Sequence, residues 1–310
     1  MRLVSYQVAG QVRLGVLAGE KIIDLQHASR VYSQAGIRTS VLDLPFSMLD
    51  LLALGPKALQ TIAEIIDFIL ERLPGNLEDW QRQGLCLNPG QAVVLAPVPR
   101  PGKIICVGGN YPSTPSQVRP DFPILFLKPS SSVTGCGWPV RIPRAAENVA
   151  CEAELAIVIG RRAKYLSEQT AWSCVAGYTL ANDLGESNLE KRTSQWTTGK
   201  LMDTFTPLGP ALVTVDEVPN PGKLPIQTRL NSVVVQKAST ADMFFNIPFL
   251  VSYISSLTTL EPGDVILTGS PKMIDEFPAP TIALQVGDVV EIEIGNLGKL
   301  SNRACDEGED

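Results

Sequence analysis

The chain has 310 residues and a mass of 33.4 kDa, is 45% hydrophobic, and sets 26 Lys+Arg against 32 Asp+Glu for a net charge of −6. That length can bury a large core, in one large domain or one large with one small, while the acidic balance offers no field to hold nucleic acid or an anionic membrane, so a small-molecule partner is expected. Six cysteines without a CxxC pair read as reduced thiols, no segment approaches the roughly 18 uninterrupted apolar residues of a membrane span, and MRLVSYQVAG has no leader-like apolar stretch, so a cytoplasmic protein is expected.

Residues 2–25 alternate as strands do, with RLGVLAGEKIIDL reading as a hairpin around Gly19. His27, in IIDLQHASR, is the single histidine and reads as a surface or capping residue; a Ser-His-Asp triad or a His-rich zinc site would have to recruit it. Leu59, Ile62, Ile66, Ile69 and Leu73 recur at three and four, between Gly55-Pro56 and Pro74-Gly75, which predicts an amphipathic helix. The Pro-rich joint LAPVPRPGK closes a small α+β N-terminal domain over 1–98. From 99 to 303, KIICVGG, ILFLKP, CEAELAIVIG, VAGYTLAND, IQTRLN, VVVQKA, DVILTGSP and DVVEIEIG read as strands, and helices are confined to 167–174, 186–194 and 245–257. Few helices among many short strands predict a mostly β fold with peripheral helices (α+β), largely antiparallel. The residues after Asn302, RACDEGED, read as a disordered acidic tail over 304–310.

The chemistry-bearing residues lie in the second region. Glu152 and Glu154, two apart in CEAELAIVIG, project from one face of an otherwise apolar strand. Three readings fit such a pair: a solvated strand end, ion pairs with Lys or Arg, or a cation site. A third acid, Asp183, ends VAGYTLAND, and Lys200 follows in TSQWTTGKLMDTF. Oxygen ligands from three carboxylates suit a hard divalent cation, Mg²⁺ or Mn²⁺, with Ca²⁺ possible. Lys200 reads either as an exposed lysine or as a positive charge beside that cation, where an enolate or carboxylate develops.

From about Lys103 to Asn302 the chain resembles the fumarylacetoacetate hydrolase family, on KIICVGGNY, PILFLKPSS, CEAELAIVIGR, VAGYTLAND, SQWTTGKLMDTFTPLGP, TADM, TTLEPGDVILTGSP and GDVVEIEIGNLG in the family's order. The resemblance implies a mixed β-roll catalytic domain with a small N-terminal domain, commonly a homodimer, holding Mg²⁺ or Mn²⁺ on Glu152, Glu154 and Asp183. It implies Lys200 as the catalytic lysine, Gln195 near the substrate, and Thr268, Gly269 and Ser270 of TGSP at the substrate end. Such a metal chelates a 2-oxo acid or 1,3-dicarbonyl and favours its enolate, an intermediate the family uses for hydrolysis, decarboxylation, isomerisation or tautomerisation.

The departures fall where the outcome is decided. After Asn110-Tyr111 the family typically has a histidine and then a glutamate at the places held here by Thr114 and Gln117, neither of which is a base near neutral pH. Ala150 replaces an acidic residue of many relatives, and Ser187 and Asn188 stand for the usual Arg and Asp. Three readings follow: an enolising enzyme (tautomerase, isomerase, lyase or cyclase), a hydrolase in which Glu186 or Tyr111 replaces the base, and a non-catalytic binding homologue. The retained acids and Lys200 favour an enzyme, and the lost pair favours enolisation over hydrolysis. The NYPSTPSQVRP stretch, with Thr114 and Gln117 as substrate contacts, reads as a reshaped lid or as an ordinary surface loop.

Overall fold

The computed structural model describes residues 1–36, 44–73, 75, 77–114, 116–274 and 283–308. Its frame is a 12-stranded sheet in the order Cys86–Leu87, Lys21–Asp24, Gln11–Ala18, Arg2–Val8, Thr206–Thr214, Val175–Asn182, Ala153–Ile159, Val265–Leu267, Ile104–Gly108, Ile124–Lys128, with Val93–Val94 and Val133–Gly135 joining off that path. Strands from either side of residue 98 thus share one sheet, Arg2 pairing with Val213 and Leu3 with Leu212. A second sheet orders Val233–Ser239, Pro225–Leu230, Val289–Ile294, Lys299–Asp306 and Val140–Ile142. With helices at the periphery, this is the mixed α+β class expected from the sequence.

Ala153–Ile159 is buried at every position because it has a core on each side. Leu155, Ile157 and Ile159 face the cluster containing Phe245, Leu250 and Ile292, while Ala156 and Val158 face the one containing Leu3, Ile62 and Ile66. A strand covered on both faces reads as a continuous apolar run, and in that company Glu154 is a conspicuous expense. The helix Pro56–Arg72 starts after Gly55 at φ +80° and buries Ala58, Ile62, Ile65, Ile66 and Ile69 on the second core.

Two long strands escaped the sequence reading, besides short ones such as Val133–Gly135 and Val140–Ile142. Thr206–Thr214 carries Pro207, Gly209 and Pro210 yet lies between Arg2–Val8 and Val175–Asn182. Proline is tolerated in a sheet where pairing is irregular, and the register slips here between Tyr178 and Leu180. The second miss corrects the tail: Lys299–Asp306 is a strand paired to Val289–Ile294 and, in parallel, to Val140–Ile142, burying Leu300, Asn302 and Ala304 while Lys299, Arg303 and Asp306 stay exposed. The helices expected at 167–174 and 186–194 shrink to a 3₁₀ turn Ala171–Cys174 and a single turn Ser187–Glu190. Among the described residues no helix is long and apolar enough to cross a membrane.

Gly177 shows how close the central strands run. A Cβ there would lie 2.1 Å from the Val213 carbonyl oxygen and 2.9 Å from the Thr214 Cα, backbone atoms that cannot rotate away. Gly177→Ala is expected to lower stability by about 1–3 kcal/mol, the usual cost of overpacking, read as an earlier urea midpoint at unchanged slope.

Candidate metal centre and active site

Sheet register explains how acids distant in sequence meet. Ala153–Ile159 runs antiparallel to Val175–Asn182 with Ala153 opposite Asn182, so the residues just before one strand lie beside those just after the other. The Asp183 amide donates to the Glu152 carbonyl at 2.9 Å, and the Glu152 amide to the Asn182 side-chain oxygen at 2.9 Å. One carboxylate oxygen each from Glu152, Glu154 and Asp183 then lies within 4.8 Å of the others. Glu154 and Asp183 are fully buried; Glu152 is half-buried. The Glu154 carboxylate also accepts from the Gly269 amide at 2.6 Å. Gly269 sits at φ +98°, and a Cβ there would meet Asn110 Cβ at 2.6 Å.

Two lysines bracket the acids. Lys128 donates to Asp183 Oδ1 at 2.5 Å and to the Leu184 and Phe205 carbonyls at 2.8 and 2.7 Å. Lys200 donates to Glu152 Oε2 at 2.8 Å and to the Asp183 carbonyl at 2.9 Å, and lies 3.4 Å from Asp183 Oδ2 and 3.8 Å from Glu190 Oε1. Burial opposes the Lys200 ammonium, but the Asp183, Glu152 and Glu190 charges outweigh it and hold its pKa well above the lysine range. Burial likewise works against the Asp183 anion, yet Lys128 and Lys200 keep its pKa below the usual carboxylate value. Among the described residues Glu154 has no cation within ion-pair distance: burial, then the charges of Asp183 and Glu152, push it well above the normal range. Burial also raises Glu190, to about 7, against the pull of Lys200.

These residues fit a divalent cation. Asp183 Oδ2 is buried and accepts no hydrogen bond despite its nearness to Lys200, and Glu154 is a buried acid that only a further positive charge would satisfy. The donor set is all oxygen, as Mg²⁺ and Mn²⁺ prefer.

The acids open into a cavity of about 350 Å³ walled by Val107, Phe126, Trp196 and Met273. Gly108 leaves room for Trp196, whose ring would lie 2.0 Å from a Cβ at that position. Of the residues singled out in the sequence, Glu152, Glu154, Asp183, Lys200, Tyr111 and Ser270 line this cavity, and Gly269 backs it through its amide. The buried Tyr111 hydroxyl has no hydrogen-bond partner among the described residues. Burial and then the Glu154 and Asp242 charges raise its pKa far above the phenol value. The remaining four side-chain candidates and Glu186 sit elsewhere. Thr268 donates its hydroxyl to the Leu155 carbonyl at 2.8 Å. Gln195 is exposed and bonded to Thr193, and Thr114 and Gln117 are exposed, the latter accepting from Ser113 at 2.6 and 2.7 Å. Both Glu186 oxygens accept backbone amides, from Asn148 at 2.8 Å and Leu189 at 2.6 Å, so this carboxylate is a cap.

The sequence reading missed Lys128, Glu190, Trp196 and Gln236. Gln236 is buried, accepting from Ala153 at 3.2 Å and donating to Ser270 at 3.0 Å and to the Pro271 carbonyl at 2.6 Å. An amide within the apolar VVVQKA strand was its one available signal.

Comparison with known proteins bears on the same stretch. Residues 103–304 match the fumarylacetoacetate (FAA) hydrolase C-terminal family. Among curated proteins, the mitochondrial oxaloacetate tautomerase of Xenopus laevis is 38% identical over 311 residues, covering 97% of this chain and 89% of the relative. Among solved structures, the 2-hydroxyhepta-2,4-diene-1,7-dioate isomerase of Mycobacterium marinum superposes with a TM-score of 0.71 at 29% identity over 100% of both chains. The maleylpyruvate hydrolase of Sphingobium sp. SYK-6, in complex with manganese(II) and pyruvate, gives 0.74 at 27% identity over 99% of each. With the match spanning Glu152, Glu154, Asp183, Glu190, Lys128 and Lys200, the chain belongs to the fumarylacetoacetate hydrolase family.

Proposed function

We propose that the protein is a divalent-metal-dependent tautomerase or isomerase of a small 2-oxo acid, working through the enolate and not by hydrolysis. The observation that carries this reading is that the three acids and Lys200 share one cavity while Thr114 and Gln117 are exposed outside it, so the loop brings no water-activating pair to the site. The oxaloacetate tautomerase relative and the isomerase neighbour support the same class.

In this reading Glu152, Glu154 and Asp183 hold Mg²⁺ or Mn²⁺, with Ca²⁺ a third option; the manganese in the maleylpyruvate hydrolase neighbour supports Mn²⁺. The cation supplies Lewis-acid polarisation of the keto group and its neighbouring carboxylate. Lys200, kept charged by its carboxylate neighbours, places a fixed ammonium where negative charge grows on the substrate oxygen. The unpartnered Tyr111 hydroxyl offers a hydrogen bond to a substrate oxygen. Phe126 and Trp196, ring centroids 5.6 Å apart, form an apolar wall of the cavity. A homodimer belongs to this reading, supported by the family membership and by the edge strand Ile124–Lys128, which exposes Ile124 and Leu127.

The test is NMR in D₂O, with Mn²⁺- or Mg²⁺-loaded protein for turnover and a panel of 2-oxo acids including oxaloacetate and acylpyruvates. Deuterium entering at the carbon beside the keto group, faster than in buffer and with no acid released, is expected. Release of acetate or an equivalent acid faster than exchange would overturn the reading in favour of a hydrolase.

A further inference from the structure

Moving a double bond between carbon and oxygen requires a group that takes a proton from carbon, and the loop of Thr114 and Gln117 supplies none. We propose that Glu190 is that group, the acid–base residue of this site, an assignment that rests on the tautomerase or isomerase reading. Glu190 ends the single turn Ser187–Glu190 and lines the cavity, with its side chain 20% exposed.

Its place is built by the backbone around it. A Cβ on Gly185 would fall 2.0 Å from Glu190 Oε1, and one on Gly199 would fall 2.5 Å from Glu190 Cγ, so the side chain lies in a slot that only two glycines leave open. The other cavity carboxylates are engaged by direct hydrogen bonds, Glu152 from Lys200, Glu154 from Gly269 and Asp183 from Lys128. Among the described residues, Glu190 has only the longer 3.8 Å approach to Lys200. Its carboxylate is therefore held in position while its oxygens stay available. The charged groups acting on it are Lys200, Glu152, Asp183 and Lys128; burial, aided by Glu152 and Asp183, outweighs the pull of Lys200 and Lys128 and raises it to about 7, a range suited to exchanging a proton near neutral pH.

The step balances without a further reactant. Glu190 takes the hydrogen on C3 of the 2-oxo acid as a proton; the C–H bonding pair becomes the C2=C3 π bond, and the C2=O π pair moves onto oxygen. A solvent proton on that oxygen completes the enol, and Glu190 gives its own proton back to solvent. In reverse, the Glu190 carboxyl returns its proton to C3.

The experiment compares Mn²⁺-loaded wild type, Glu190→Gln and Glu190→Asp on the 2-oxo acid the wild type enolises, with deuterium exchange at C3 by NMR, Mn²⁺ affinity by calorimetry and a thermal melt. Glu190→Gln is expected to lower kcat by about 10²- to 10⁴-fold, to leave KM and Mn²⁺ affinity within about threefold, and to lose the acidic limb of the kcat–pH profile. Glu190→Asp, still a carboxylate, should recover part of the exchange. Wild-type-like turnover in Glu190→Gln with the acidic limb intact overturns the assignment and leaves the enolising function standing. A fall in turnover matched by a fall in Mn²⁺ affinity or melting temperature also overturns it, making Glu190 a structural counter-ion of Lys200. A wild type that exchanges nothing across the panel overturns the functional reading itself.

Discussion

Replacing Lys200 with Met will cut turnover by about two to three orders of magnitude, the range for losing one preorganised electrostatic donor at a developing oxyanion, while Mn²⁺ affinity does not fall. Two features set the size of the effect. The ammonium is buried and pinned by Glu152 and by the Asp183 carbonyl, so it needs no reorganisation as charge grows on the substrate. Three carboxylates also outweigh the penalty of its burial and hold its pKa above the lysine range. Removing a cation from among candidate ligands leaves them more negative, so calorimetry should show metal binding held or strengthened. Turnover equal to the wild type on the identified substrate would show that the developing charge lies elsewhere.

Asp183 and Glu154 should behave in opposite ways once the metal is stripped with EDTA. Asp183→Ala takes the carboxylate from Lys128, whose side chain is fully buried, and breaking a buried pair from one side costs about 3–5 kcal/mol. Read as a ligand alone, Asp183 looks free to mutate without harm to the fold; its pairing with Lys128 makes it a structural charge as well. Glu154→Gln instead removes an acid that the fold keeps against its own preference, so metal-free stability at pH 7 should hold or rise. The pH dependence separates them further. A carboxyl whose folded pKa is raised keeps its proton in the native state and loses it on unfolding, so stability falls as pH rises above its unfolded value, near 4.3 for Glu. Glu154 and Glu190 both act in this direction. The advantage of Glu154→Gln over wild type should therefore grow between pH 5 and pH 8 in urea titrations of metal-free protein, estimates that rest on this linkage. Both substitutions should abolish tight Mn²⁺ binding. If metal-free Asp183→Ala unfolds at the wild-type urea midpoint, Lys128 has found another partner and the bracket of lysines is misread.

Much of this was legible because the responsible signals are local. VAGYTLAND and CEAELAIVIG announce strands by apolar continuity, and acids at their ends stand out against it. Lys128 was not legible, since a lysine closing ILFLKP looks like any solvated strand end until Asp183, Leu184 and Phe205 converge on it. Glu190 was hidden in the polar run SNLEKR, where nothing local separates it from Glu186. The distinction arises only from backbone geometry: Glu186 spends its oxygens capping its own turn, and Glu190 points into a slot made by Gly185 and Gly199. Lys299–Asp306 contradicts its local propensity by charge and pairs both with its neighbour Val289–Ile294 and with the distant Val140–Ile142, while Thr206–Thr214 contradicts its own by proline and owes its pairing to partners farther along the chain, Arg2–Val8 among them.

That last dependence bears on how the molecule comes into being. The first strand's outer edge pairs with Thr206–Thr214, and Thr214 bonds Met1 across 213 positions. At a synthesis rate of about 5–20 residues per second, the amino-terminal hairpin waits on the order of ten to forty seconds with the Arg2–Leu3 part of that edge bare, Tyr6 and Gln7 having Val93–Val94 to pair with earlier. During this interval its unpaired amides can add to another nascent chain as readily as to their own. Yield in the cell should thus depend on chaperone cover over the early segment, and a substitution that slows translation before residue 206 should favour aggregation without touching the finished enzyme.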